Sequence, residues 1–239
     1  MERASKVIAN SGFCSRRKAE EYIKEGKVEV GGRVITLGEK INPNDLIKVN
    51  GSFLSKEEKE YVLLYKPRGV VTTTEDDKNR KTVVDLIPTK NRIYPVGRLD
   101  YDTTGILILT NDGELANLLM HPKSGIDKTY IAKVKGIVPP VILKKLGKGV
   151  VIDGRKTAKG YAKVKKYDKK TDTSIVELTI HEGRNHQVKK MFEAVGYTVI
   201  KLKRETYSFL NLSGLSSGEY RHLTPKEVKK LYNEVLNEK

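Results

Sequence analysis

The chain has no tryptophan, one cysteine, four phenylalanines and four histidines among its 239 residues. A single thiol, Cys14, excludes an internal disulfide and a cysteine-cluster metal site. His121, His181, His186 and His222 are scattered, and no pair has the i, i+4 spacing of ligands on one helix face. His181 and His186 stand five apart across a glycine, so no metal is expected. No apolar run is long enough to span a bilayer and no apolar leader is evident, which leads to the expectation of a cytoplasmic protein with no membrane partner. Acidic residues are also in short supply: 30 Asp and Glu stand against 46 Lys and Arg, a formal charge of +16.

That excess points to a polyanion, because neutralising phosphates with release of their counterions is the common use of a strong positive field. Nucleic acid is the leading partner. Residues 1 to 50 hold ten basic and seven acidic side chains, so residues 51 to 239 carry the remaining +13. Both parts of the chain therefore have charge to offer.

Residues 1 to 50 read as a compact unit of two helices and short strands. Val7 and Ile8 sit in a helix ending near Gly12, and Ser15 can cap a second, "SRRKAEEYIKEG", with Ala19, Tyr22 and Ile23 on one face and Gly26 as its stop. "KVEVGGRVI" alternates like a hairpin around Gly31 and Gly32, and "DLIKV" closes the unit. Residues 51 to 60, with Gly, Ser and alternating charge, read as a linker. Residues 61 to 239 form the second domain. "YVLLYKP", "GILILT", "TYIAKVKG", "SIVELTI" and "YTVIKLKRETY" have strand length and content, while "NDGELANLLM" and "NHQVKKMFEAVG" have helical spacing, the latter through Val188, Met191, Phe192 and Val195. The last segment opens with Thr224, Pro225 and Glu227 as a capping box and runs Val228, Leu231, Tyr232, Val235 and Leu236 along one face. Residues 163 to 170, "KVKKYDKK", form a basic run. The fold class expected is α+β.

Ser15, Arg16 and Arg17 open the second helix, where cations are locally unfavourable unless a phosphate joins them; the alternative is an ordinary solvated face. Asp100 and Asp102 lie in a turn-rich cluster, "GRLDYDTTG", in which either carboxylate could simply bond its own backbone. A paired-carboxylate glycosidase would need both on one face, about 7 Å apart on a strand, and a turn guarantees no such geometry.

Segment 3 to 49, through "CSRRKAEEYIKEGKVEVGG", resembles the S4-type RNA-binding domain. The resemblance implies RNA contact through Arg16, Arg17 and Lys18. Farther on, "GRLDYDTTGILILTNDGELANLLMHP", "DKTYIAKVKG", "EGRNHQVKKMFEAVGY" and "LKRETYSFLNLSGLSSGEYRHLT" resemble the RsuA/RluB-type pseudouridine synthases across nearly all of residues 60 to 227. That implies a small S4-type domain followed by a catalytic domain built on a mixed, largely antiparallel sheet with flanking helices. The reaction implied detaches uracil from its ribose within RNA, turns the base and rejoins it through a ring carbon; reactant and product have the same atoms, so no cofactor or metal is implied.

Residue by residue, the family's nucleophilic Asp falls on Asp100, its basic partner on Lys189, its uracil-stacking aromatic on Tyr130 and its apolar pocket floor on Leu202. Arg98 matches an arginine that fills the vacated stack or binds phosphate. A carboxylate in a pocket closed to water needs a cation beside it to remain charged, and Lys189 is expected to supply it. Stacking on Tyr130 would contribute about 1–3 kcal/mol toward unstacking the base. Overall similarity favours ribosomal RNA, large subunit over small, and a monomer is expected. The rivals are a non-catalytic RNA-binding or ribosome-assembly protein, which would be free to lose Asp100, Tyr130 or Lys189, and a DNA-binding helix-turn-helix protein, which gives "GRLD" no role.

Overall fold

The computed structural model describes residues 1–55 and 57–237. The chain divides into two compact units, the first comprising Met1–Glu60 with Thr89–Tyr94 and Thr110–Gly113, the second the rest.

The first unit runs β1 (Glu2–Arg3), α1 (Ala4–Asn10), α2 (Arg16–Lys24), β2 (Val28–Val30), β3 (Arg33–Val34), β4 (Lys40–Ile41), β5 (Ile47–Val49) and β6 (Ser52–Phe53). Ser15 caps α2 as its sequence suggests, its hydroxyl accepting from the Lys18 amide at 3.1 Å, an interaction typically worth about 1 kcal/mol. Gly31 and Gly32 both take positive φ, the backbone of a tight two-residue hairpin, and join β2 to β3. Strands β3-β2-β5-β6 form one sheet, and β1 pairs with β4. Ala4, Val7 and Ile8 of α1 and Ala19 and Ile23 of α2 pack with Val28, Ile35, Ile41, Ile47 and Val49 as one core.

The second unit contains β7 (Tyr61–Lys66), β8 (Tyr94–Pro95, shared at the division), β9 (Thr104–Thr110), α3 (Gly113–Met120), β10 (Lys128–Lys135), α4 (Pro140–Lys148), β11 (Val151–Ile152), β12 (Arg155–Lys156), β13 (Tyr161–Asp168), β14 (Thr173–Ile180), α5 (Gln187–Glu193), β15 (Val199–Tyr207), β16 (Leu210–Asn211), β17 (Tyr220–His222) and α6 (Pro225–Asn237). A mixed sheet is ordered β13-β14-β10-β15-β9-β7-β17, with β16 beside β15 and β8 beside β9. Pairing of β10 with β14 and β15, of β13 with β14 and of β17 with β7 is antiparallel, whereas β9 and β15 run parallel. The expected α+β class, with its mixed and largely antiparallel sheet, is what the chain adopts.

Interior strands betray themselves by unbroken burial. Val62, Leu63 and Leu64 of β7 and Ile106 to Leu109 of β9 are all sealed from solvent, as strands covered on both faces must be. The basic run at 163–170 belongs mostly to β13, an edge strand whose Lys163, Lys165 and Lys166 are exposed. Gly105, at φ +115, is demanded by packing: a Cβ there would lie 2.1 Å from the backbone oxygen of Arg204. The parallel pairing of β9 with β15 therefore requires glycine at this position. It is also what brings the start of β9, and the Asp100 turn before it, against β15.

Candidate active site

The turn that carries Asp100 is pinned from beneath by a lysine that sequence reasoning did not single out. Lys66, the last residue of β7, is fully buried, and its ammonium donates to the backbone oxygens of Pro67 (3.0 Å), Asp100 (3.1 Å) and Thr103 (3.0 Å). Burial pushes its pKa down to about 8 against the attraction of Asp100 and Asp102. The amide of Thr103 closes the turn on the Asp100 oxygen at 3.1 Å, and the Thr72 hydroxyl donates to the oxygen of Leu99 at 2.6 Å. Three donor groups thus make four hydrogen bonds to the backbone on either side of one carboxylate.

Above that backbone, the Asp100 side chain is partly exposed and meets two nitrogens of the α5 region. Lys189 Nζ and His186 Nδ1 each lie 3.0 Å from its Oδ2. Lys189 also reaches Asp102 Oδ1 at 2.6 Å, so both carboxylates converge on one ammonium. Burial pulls the Lys189 pKa down, but the hydrogen bonds to Asp102 and Asp100 outweigh it and the net shift is upward. The same bond holds Asp102 below its ordinary value. Lys190, the next residue, is half-buried and pairs with Asp153 at 2.6 Å.

His186 reaches Asp100 because it takes a left-handed conformation at φ +53 just before α5. The loop behind it is laced together: Gln187 is buried, its Oε1 accepts from the Arg184 amide at 2.9 Å, and its Nε2 donates to Glu182 Oε1 at 2.6 Å. Val188, Met191 and Phe192 anchor α5 in the core, which leaves Lys189 at its edge.

Tyr130 on β10 is buried to 9 % exposure and lies opposite Arg204 of β15, which is itself in register with Gly105 of β9. Two strand spacings, about 10 Å, therefore separate the backbone at Tyr130 from β9, which the Asp100 turn precedes. Leu202, also buried, is opposite Ala132 and two residues before Arg204, on the same face of β15. Arg204 is buried and donates from Nε to the Ile106 oxygen at 2.8 Å. Arg98 is exposed and lines a shallow depression with Thr72, Thr73, Thr74, Pro95, Gly97 and Met120. Arg16, Arg17 and Lys18 are exposed on α2 of the first unit. Among the described residues, no group of three or more His, Cys, Asp or Glu is placed to hold a metal ion, and no helix is long and apolar enough to cross a membrane.

This arrangement has one carboxylate on a pinned turn, charge-paired and partly open, with the buried Tyr130 two strands away from β9. The RNA pseudouridylate synthase family profile matches residues 60–194, and the S4 domain profile matches residues 2–47. The chain belongs to the RNA pseudouridine synthase family. It is an isomerase. It is 61% identical, over 97% of its length and 96% of the relative's, to ribosomal large subunit pseudouridine synthase B of Bacillus subtilis (strain 168). It is 37% identical, over 98% of its length and 80% of the relative's, to the dual-specificity RNA pseudouridine synthase RluF of Escherichia coli (strain K12). A crystal structure of a pseudouridylate synthase superposes with a TM-score of 0.69 at 31% identity, covering 97% of this chain and 100% of the other. Within this synthase, sequence reasoning missed Lys66, His186 and the tie from Asp102 to Lys189. The signal for Lys66 was a lysine closing an otherwise apolar strand; for His186 and Asp102 no local pattern existed.

Proposed function

We propose that the protein isomerises a specific uridine of large-subunit ribosomal RNA, with Asp100 as nucleophile. The observation that carries the choice of RNA is 61% identity over almost the whole chain to a synthase named for that subunit. The observation that supports Asp100 is its pairing with Lys189 at 3.0 Å on a turn held from below by Lys66. In the reaction the bond from ribose to the base nitrogen breaks and one to a ring carbon forms, while that carbon's proton departs and the nitrogen gains one. The ionised carboxylate serves as the group that adds, to ring or sugar, and then leaves. Lys189 balances its charge, Tyr130 lies against the extruded base, Leu202 floors the pocket, and Arg98 fills the vacated stack or binds phosphate.

The domain division we propose follows the chain: residues 1–50 anchor RNA through Arg16, Arg17 and Lys18, residues 51–60 connect, with Ser52–Phe53 closing the first unit's sheet as β6, and residues 61–239 carry the chemistry. The enzyme acts as a cytoplasmic monomer and takes no cofactor or metal. The decisive experiment incubates purified protein with unmodified transcripts of large- and small-subunit rRNA and maps pseudouridine in each. One modified position in the large-subunit transcript is expected, with Asp100→Asn folded, RNA-bound and without turnover. Modification confined to the small-subunit transcript would refute the substrate; turnover by Asp100→Asn would refute the nucleophile.

A further inference from the structure

The loop that presents His186 and Lys189 to Asp100 also holds, on its other side, a hairpin that the reaction leaves without a role. Strands β11 and β12 pair Val151 with Lys156 and Ile152 with Arg155 around a turn at Asp153 and Gly154, both with positive φ. An isolated two-stranded hairpin is marginal in water, so its order must come from elsewhere. It comes from the "EGRNHQ" loop. Arg184 donates from Nη1 to the Arg155 backbone oxygen at 3.0 Å and from Nη2 to that of Lys156 at 2.8 Å. Glu182 Oε1 accepts from the Ala158 amide at 3.0 Å, and Lys190 pairs with Asp153 at 2.6 Å. Lys189 and Lys190, on adjacent Cα atoms about 3.8 Å apart, thus reach Asp100 on one side and the hairpin turn on the other.

These bonds engage the Arg155 and Lys156 backbone oxygens and the hairpin's one acid, and leave its cations free. Arg155 and Lys156 are exposed, and among the described residues neither has an ion-pair partner. Val151, across the hairpin from Lys156, is 60 % exposed and adds an apolar surface beside the charge. The surrounding chain is strongly basic: residues 144 to 166 hold nine Lys and Arg against Asp153 alone. Two unpaired cations, held rigidly to the loop that faces the proposed nucleophile, fit the phosphates of an RNA strand, which carries one charge per nucleotide.

We propose that the β11–β12 hairpin is an RNA-contact element of the catalytic unit, in which Arg155 and Lys156 hold backbone phosphates of the strand that carries the target uridine. The element rests on the reading of Asp100 as the reacting group. It positions RNA and takes no part in bond making.

The test is Arg155→Ala with Lys156→Ala in the full chain. Arg184 grips backbone oxygens, so removing these side chains leaves the clip in place; circular dichroism checks the fold. The probe is the unmodified large-subunit rRNA transcript, titrated across a range of salt. Losing two phosphate contacts flattens the slope of log affinity against log salt by about 1.4 to 1.8, which amounts to about 25- to 60-fold weaker binding at 0.1 M salt relative to 1 M. KM should rise in step while kcat at saturating RNA stays within about twofold. Lys169→Ala with Lys170→Ala, at the distant β13–β14 turn, removes the same charge and should cost much less. An unchanged slope in the hairpin variant, or an equal loss in the control pair, would overturn the proposal. Absence of pseudouridine with wild-type protein would instead fail the functional reading on which it rests.

Discussion

At the scale of single residues, the electrostatics around Asp100 are set by one ammonium shared between two carboxylates. Lys189→Met removes it and leaves Asp100 and Asp102 without the ammonium they share. Groups that stabilise charge at a reacting centre are commonly worth about 10² to 10³ in rate, so single-turnover pseudouridine formation should fall by about that factor with the fold retained. Lys189→Arg should recover part of it. A Lys189→Met rate within about threefold of wild type would remove this residue from the site. Asp100, Lys189, Tyr130 and Leu202 could be singled out in the sequence because each lies in a motif that resembles the family, and the fold brings the first two within 3.0 Å. His186 was not, because its contact with Asp100 joins residues 86 apart and needs a left-handed backbone that no local pattern dictates. Asp102 looked like a turn residue, and it is one; its second role exists only once α5 has docked. Lys66 is concealed for a related reason, since the three oxygens that make its burial tolerable come from two segments of the chain.

Among the elements, α6 shows how a sequence signature becomes stability. Thr224 and Glu227 form the reciprocal cap: the Glu227 amide donates to Thr224 Oγ1 at 3.2 Å, and Glu227 Oε2 accepts from the Thr224 amide at 2.8 Å. Arg221 binds both oxygens of the same carboxylate, at 2.8 and 2.9 Å. The Arg221 hydrogen bonds, joined by those of Thr224, hold the Glu227 pKa down to about 2. Its folded value lies below its unfolded one, so its contribution is complete above about pH 4.5 and is lost as pH falls through about 2. Glu227→Gln should therefore cost about 1–2 kcal/mol at pH 7 in chemical denaturation, and the gap from wild type should narrow on acidification from pH 5 to 2. A gap that stays constant over that window would mean the carboxylate's charge is not what stabilises the cap. Strands with continuous apolar runs, β7 and β9, and the capped helices α2 and α6 could be read from sequence because local chemistry alone specifies them. The edge strand β13 could not, since its exposed lysines mask its period; β8 and β17 are defined by partners elsewhere in the chain, and β11 and β12, two residues each, are too short to show a period. Leu236, expected on the buried stripe of α6, is 49 % exposed.

For the whole molecule, the charge of +16 is spread over both units, and the question is how each part uses it. Deleting the first unit is a poor probe. Residues 89–94 and 110–113 belong to it: Asn111 Oδ1 accepts from the Glu60 amide at 2.8 Å, its Nδ2 donates to the Glu58 oxygen at 2.9 Å, and Asn91 Nδ2 donates to Glu60 Oε2 at 2.9 Å. Truncation would strip these buried or half-buried groups of their partners and damage segments that run directly into β8 and out of β9. Point substitutions avoid this. Arg16 and Arg17 are exposed and, among the described residues, form no ion pair, whereas Lys18 is already engaged by Glu21 at 2.7 Å. Arg16→Ala with Arg17→Ala should accordingly flatten the salt dependence of rRNA affinity by about 1.4 to 1.8 while kcat at saturating RNA stays within about twofold. Contacts made by separate residues to separate phosphates add, so combining this pair with the hairpin pair should flatten the slope by the sum of the two losses. Titration of wild type, both double variants and the quadruple variant over one salt series measures all four slopes. A quadruple variant no flatter than either pair would mean the two clusters compete for the same phosphates, and an unchanged slope for Arg16→Ala with Arg17→Ala would remove the first unit as an RNA anchor.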